Sequence, residues 1–272
     1  MMLHSTAKLL SDGWSTMKGL YWDKALRSFF DIPVRRGMSF RFARYGDVAR
    51  MLYMQSHLVR FGKSFETEML DLFCSRLTPG ATVIDVGANV GMYAMAASRL
   101  VGPQGRVLAY EPDPVTYAAL CRNLEMNGCA NVRAFPLALS DRAGWVSLSV
   151  PDVVQARFTY GDSYHSMTPV AEGVEGGIEC VALDDHLAGL GIACADVMKV
   201  DVEGAELSCL RGASGLLSAA GHPFLMLECD EALCARFGHN VFHTLSFLAQ
   251  QGYMPEQIAA HDWVAHPSRL QS

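Results

Sequence analysis

A doubly wound α/β sheet is the fold this sequence predicts, and three observations predict it. From Thr82 onward, short apolar runs that end in glycine or an acidic residue alternate with stretches of helical period, the pattern of parallel strands joined by crossover helices. The first of these runs leads directly into Gly87-Ala88-Asn89-Val90-Gly91, a glycine-bearing turn ahead of a helix. The 272 residues are half apolar, enough to bury a large core, and contain no repeat, low-complexity tract or Pro/Ser-rich linker between independent domains.

The elements follow in order. The first 60 or so residues read as helices and short strands, so 1–63 are expected to form an N-terminal cap and 64–272 the main domain. Residues 82–86, 106–110 and 132–136 are the first three strands. Helices are predicted at 90–100 and 114–127, the second opened by a proline in its first turn and stopped at Asn127-Gly128. The turn cluster Ser140-Asp141-Arg142-Ala143-Gly144 and the alternation over Trp145 to Val150 predict a hairpin insertion around 140–180. Residues 151–177 have no clear period and read as a long irregular loop, a lid or substrate loop. A strand at 197–200, a helix at 205–217, a strand at 224–227 and a helix at 241–251 resume the alternation, and 253–264 reads as a last antiparallel pair.

Charge is uneven. The net charge is −6, but residues 1–63 hold eleven Lys/Arg against four Asp/Glu, so they carry +7 and the remainder −13. Such a segment suits an anionic partner, and equally a solvated helical face. The eight cysteines form no Cys-x-x-Cys pair and no histidine cluster at zinc-ligand spacing, so most are expected to be buried small hydrophobes in a reducing cytoplasm. The N-terminus lacks a secretory layout and no apolar run reaches a membrane span, so a cytoplasmic protein is expected.

The chemistry concentrates where strands end. A dinucleotide site would carry Gly-x-Gly-x-x-Gly, whose middle glycine admits a pyrophosphate, but that position is Asn89 and the spacing is Gly87-x-x-x-Gly91. Asp85 would repel a pyrophosphate and could hold the ammonium of a methionine moiety, which favours S-adenosylmethionine over NAD; it could also simply hydrogen-bond the turn. Glu111 falls about 20 residues after Gly91, the interval at which an acid reaches ribose hydroxyls. Its alternative is a charge at the start of the helix that begins at Pro114. Ser140 and Asp141 follow the third strand where an adenine could be bordered, and a plain Asp turn fits as well. Asp201 ends the fourth strand, where open α/β sheets place ligands. Glu203 is expected to start a helix, and Lys199 to pair with Asp201 from the same strand face. Glu228 and Asp230 end the fifth strand.

Taken together, the ordered set resembles the FkbM-type methyltransferases within the Rossmann-like class. It comprises Phe65-Glu66, Leu77-Thr78-Pro79-Gly80, Asp85 to Gly91, Glu111-Pro112, Ala138 to Asp141, Leu183-Asp184-Asp185, Lys199 to Glu206 and Leu227-Glu228. The resemblance implies a mostly parallel seven-stranded sheet with helices on both faces, and methyl transfer from S-adenosylmethionine to hydroxyls of sugars in surface glycans and lipids or of secondary metabolites. It implies that Asp85, Gly87, Asn89, Gly91 and Glu111 bind the cofactor. Asp201 is the first candidate for the base. In a related group of sugar methyltransferases, carboxylates after the fourth and fifth strands bind magnesium, which points to Asp201, Glu228 and Asp230 as a metal set. His165, Tyr160 and Tyr164 are alternative bases or sugar-stacking groups, with Phe158 beside them. A small-molecule or glycan acceptor is expected, with peripheral contact to an anionic membrane surface and no nucleic acid. A non-catalytic cofactor-binding subunit and an NAD-dependent oxidoreductase are the other readings.

Overall fold

The computed structural model describes residues 29–35, 37–43, 67–149, 166–218 and 222–268. A hairpin of β1 (Phe29–Arg35) and β2 (Met38–Ala43) comes first, then α1 (Thr67–Ser75). The parallel strands β3 (Thr82–Val86), β4 (Arg106–Tyr110) and β5 (Val132–Phe135) are separated by α2 (Met92–Val101) and α3 (Pro114–Met126). After β5 the chain builds a second sheet from β6 (Ala138–Ser140), β7 (Gly144–Ser149), β8 (Ser166–Val170) and β9 (Gly177–Ala182), closed by α4 (Leu183–Gly189). It returns through β10 (Val197–Val200), α5 (Glu206–Arg211), α6 (Ser214–Ser218), β11 (Phe224–Glu228), α7 (Glu231–Arg236) and α8 (Val241–Gln250) to β12 (Tyr253–Gln257) and β13 (Asp262–Pro267).

The main sheet has seven strands in the order β12-β13-β11-β10-β3-β4-β5. Strands β11, β10, β3, β4 and β5 are parallel, and β13 is antiparallel to both its neighbours. The order reverses between β3 and β10, which opens a crevice at their carboxyl ends. Strand period sorts the core. Val83, Val107, Ala109 and Val197 face the layer of α1, α2 and α3, whereas Ile84, Leu108, Met198 and Leu225 face that of α4, α5, α6 and α8.

The β1–β2 hairpin belongs to the first layer, with Phe40 and Phe42 buried in its core. Two asparagines of α3 hold it. Asn127 exchanges hydrogen bonds with the Arg41 backbone at 2.8 and 2.7 Å, and Asn123 Oδ1 accepts from the Ala43 amide at 2.7 Å. The remainder of the predicted cap lies outside the described residues, as do Phe65 and Glu66.

Three sequence expectations need correction. Helix α2 starts at Met92 rather than at residue 90, because Gly91 at φ 92° is a left-handed cap residue. The helix expected over 205–217 is two, α5 and α6. Between them Gly212 lies so close to the Ser140 carbonyl that a Cβ there would overlap it, and the Gly212 carbonyl accepts from the Asp184 amide at 2.8 Å. The stretch read as irregular over 151–177 contains β8, which pairs with β7, and the insertion is a four-stranded sheet in the order β6-β9-β7-β8 rather than a hairpin.

Candidate active site

The site grows from the place where β3 and β10 part. Each strand is a buried run, apolar but for Asp85 in β3 and Lys199 in β10 and the opening Thr82, that must end at a turn, and the two turns pack backbone to backbone. Gly87, at φ 73°, abuts the Asp201 carbonyl, which a Cβ would overlap. The Gly87 and Ala88 amides donate to the Tyr110 carbonyl at 3.0 and 2.9 Å, and the Asp201 amide to the Val86 carbonyl at 3.1 Å. Asn89 follows in a left-handed conformation, φ 50°, uncommon for a residue other than glycine. Its amide donates to Glu111 Oε2 at 2.9 Å, and its own Oδ1 accepts from the Val90 amide at 2.8 Å.

Two cavities open here. The first, about 90 Å³, is walled by Val86, Gly87 and Asn89 on one side and by Tyr110, Glu111 and Pro112 at the end of β4. Its floor is apolar, built from Leu137 to Leu139, from Leu148 of β7 and from Met167 of β8, and Asp201 to Glu203 close it. The second, about 240 Å³, is lined by Met69, Tyr93, Lys199, Glu228, His261 and Asp262, and it shares Asp201 with the first. Asp201 is therefore the wall between them.

The electrostatics are dominated by crowded carboxylates. Asp201 Oδ2 accepts from Lys199 Nζ at 2.9 Å, and Lys199 Nζ also lies 4.7 Å from the centre of the Tyr93 ring. Burial pushes Glu111 up to about 7 against the pull of the Asp113 and Asn89 amides. Glu203 is pushed up to about 9, by burial and then by repulsion from Asp201, Glu228 and Glu206. Its φ is +55°, so the residue expected to begin a helix stands in a strained turn ahead of α5. Burial and then Asp201 also raise Asp262.

Of the residues singled out in the sequence, Gly87, Asn89, Glu111 and Asp201 line the first cavity, and Glu228 lines the second. Gly91 caps α2 behind the turn. Asp85 lies behind the wall. It is fully buried in register with Lys199, neither of its oxygens has a hydrogen-bond partner among the described residues, and burial pushes it up to about 6. Ser140 and Asp141 line neither cavity. Asp141 is held by two hydrogen bonds from Arg142, at 3.0 and 2.8 Å, which lower its pKa. Asp230 is also engaged: Oδ1 accepts from the Ala232 and Leu233 amides, and Oδ2 lies 3.1 Å from His261 Nδ1. Asp201, Glu228 and Asp230 are not among the described groups of three whose donor atoms all lie within 4.8 Å of one another. Phe158, Tyr160, Tyr164 and His165 lie outside the described residues.

Sequence reasoning missed Leu148, Met167, Tyr93 and the pair His261-Asp262. Alternation over 145–150 marked Leu148 as one face of a strand, but nothing local told which sheet that face would meet.

A model of the methyltransferase FkbM domain matches residues 85–255. Among curated relatives, methyltransferase sdnD of Sordaria araneosa is 31% identical over 154 residues, covering 48% of this chain and 59% of its own. The 31-O-demethyl-FK506 methyltransferase FkbM of Streptomyces tacrolimicus is 32% identical over 159 residues, covering 50% and 60%. Hexuronic acid methyltransferase AglP of Haloferax volcanii is 27% identical over 164 residues, covering 60% and 62%. The chain spans about three fifths of the length of these relatives.

Proposed function

From the chain's membership of the FkbM methyltransferase family, we propose that it moves the methyl group of S-adenosylmethionine to a hydroxyl oxygen of a sugar, in a surface glycan or glycolipid precursor, or of a secondary metabolite. The observation that carries this reading is the position of Asp201, the one carboxylate shared by both cavities. One cavity suits a nucleoside: the buried Glu111 carboxylate can accept from two vicinal hydroxyls, and the apolar floor of Leu137 to Leu139, Leu148 and Met167 suits a flat base. The other offers carboxylates and a histidine to a polyhydroxyl acceptor.

When bound, S-adenosylmethionine supplies a methyl group on a positively charged sulfur, open to in-line displacement. The chain's part is alignment and proton removal. Lys199 holds the Asp201 carboxylate from β10, so its other oxygen is free to take the acceptor proton. The cluster of acids around it favours a cationic donor over a pyrophosphate, which sets aside the nicotinamide reading. Support for a sugar or metabolite hydroxyl comes from the relatives named for a hexuronic acid and for a 31-O-demethyl compound. Residues 1–63, with their +7 charge, would meet phosphates of a lipid carrier or an anionic membrane. Among the described residues, no helix is long and apolar enough to cross a membrane.

Asp201→Asn tests the assignment. The amide keeps the shape but cannot act as base, so turnover should fall by about 10²- to 10⁴-fold while calorimetric affinity for S-adenosylmethionine stays close to wild type. Wild-type activity should not depend on added magnesium. Near-normal turnover in Asp201→Asn would remove the base. Mass spectrometry of glycans, lipids and small metabolites with and without the gene identifies the acceptor; unchanged methylation of all three classes would refute it.

A further inference from the structure

Beyond the strained turn at 202–204, three potential ligands converge. Glu206 opens α5 and is 1% exposed; Cys234 lies on α7 and is fully buried; His239 follows α7 and is partly exposed. One donor atom each from Glu206, Cys234 and His239 lies within 4.8 Å of the others. Glu206 Oε1 accepts from the Gly204 and Val202 amides at 2.9 and 3.3 Å, which leaves Oε2 facing Cys234 Sγ at 3.9 Å.

His239 supplies the second, independent observation. Its Nε2 is buried and has no hydrogen-bond partner among the described residues. With its proton on Nδ1, a neutral imidazole presents a bare lone pair at Nε2, the form in which histidine ligates a metal. A buried nitrogen without a partner calls for an explanation, and a bound ion supplies one.

We propose that Glu206, Cys234 and His239 bind a zinc-class divalent cation that braces the fold, with water completing the coordination. The donor set of oxygen, sulfur and nitrogen excludes the hard cations, which take oxygen, and suits a tetrahedral borderline ion. Charge agrees. One carboxylate and one thiolate cancel two positive charges, so a buried site closes neutral. The ion would fasten α7 and the 237–240 segment to the start of α5, bracing the turn that carries Glu203 beside Asp201. Cys234-x4-His239 is the sequence trace, and it lacks the short spacing of common zinc motifs.

The test uses the full chain, stripped of metal under reducing conditions and titrated with zinc and with cobalt(II). Wild type should take up one zinc per chain, gain thermal stability on doing so, and show a thiolate-to-cobalt charge-transfer band with tetrahedral visible bands. Cys234→Ser, which changes one atom, should lose the thiolate band, and Cys229→Ser should keep it. His239→Ala, at a partly exposed position, should weaken zinc binding by more than about 100-fold with circular dichroism unchanged. A wild-type chain that neither binds zinc nor shifts its melting temperature overturns the proposal. So does wild-type affinity in folded His239→Ala, or a Cys229–Cys234 disulfide in the protein as isolated.

Discussion

Gly87 has the least room of the described glycines, and the reason is a backbone carbonyl rather than a side chain. A methyl group there would overlap the Asp201 oxygen and would also demand a left-handed conformation, so β3 and β10 would have to part at the point that aligns the two cavities. Gly87→Ala should cost more than about 2 kcal/mol of stability and lower cofactor affinity at the same time. Denaturant unfolding and calorimetry on the same sample check both; wild-type values in both would show that the turn can open without loss. Glu111 and Asp201 were legible in the sequence because each follows the last residue of a buried strand, where a charge has to leave the core. Asp85 differs from them. It lies inside the strand, fully buried and in register with Lys199, and no local feature of the sequence gives that placement. Asp141 and Asp184 show how an acid at a strand end can serve structure instead. The first is held by Arg142, and the second accepts from the Gly215 and Leu216 amides at 2.6 and 2.9 Å, capping α6.

Strands and helices were legible to within a residue or two wherever the cause was local. Asp113 caps α3 by accepting from the Val115 and Thr116 amides, Pro114 presets its first turn, and Asn127 ends it, all visible in the sequence. What escaped was set by distant partners. The break at Gly212 is imposed by Ser140 across the molecule, and β8 is a strand because β7 pairs with it over a long stretch of chain. The short α7 illustrates how a functional guess and a structural role can share one carboxylate. Asp230 accepts from two amides at its start, so Asp230→Ala should destabilise the chain by about 1 kcal/mol, as N-cap losses do, while turnover under saturating substrates stays within about twofold. Chemical denaturation beside initial-rate measurements separates the two. A large fall in turnover with unchanged stability would return Asp230 to the reacting centre.

At the scale of the whole molecule, buried acids outnumber buried bases among the described residues. Asp85 is raised to about 6, Glu111 and Glu206 to about 7 and Glu203 to about 9, each chiefly by burial. A carboxyl whose folded pKa exceeds its unfolded value holds a proton in the native state that the unfolded chain has released. The native state is then favoured below the unfolded pKa and loses that advantage as pH climbs to the folded one. Without cofactor, the melting temperature should therefore fall from about pH 5 to about pH 9, and Glu203→Gln should flatten the upper part of that fall. Differential scanning calorimetry across buffers measures it; a melting temperature that rises from pH 5 to 8 would contradict the burial of these groups. One further feature reaches across the molecule. Asn123, 1% exposed, accepts from the Ala43 amide with one end and donates to the Val90 carbonyl with the other, at 2.8 Å. The N-terminal hairpin and the glycine turn are thus adjacent links of one chain of bonds, although the family match begins only at residue 85. Cutting the polypeptide at that boundary would leave the side-chain amide of Asn123 without its hairpin partner and Phe40 and Phe42 missing from the core, so the folded unit is larger than the recognisable one.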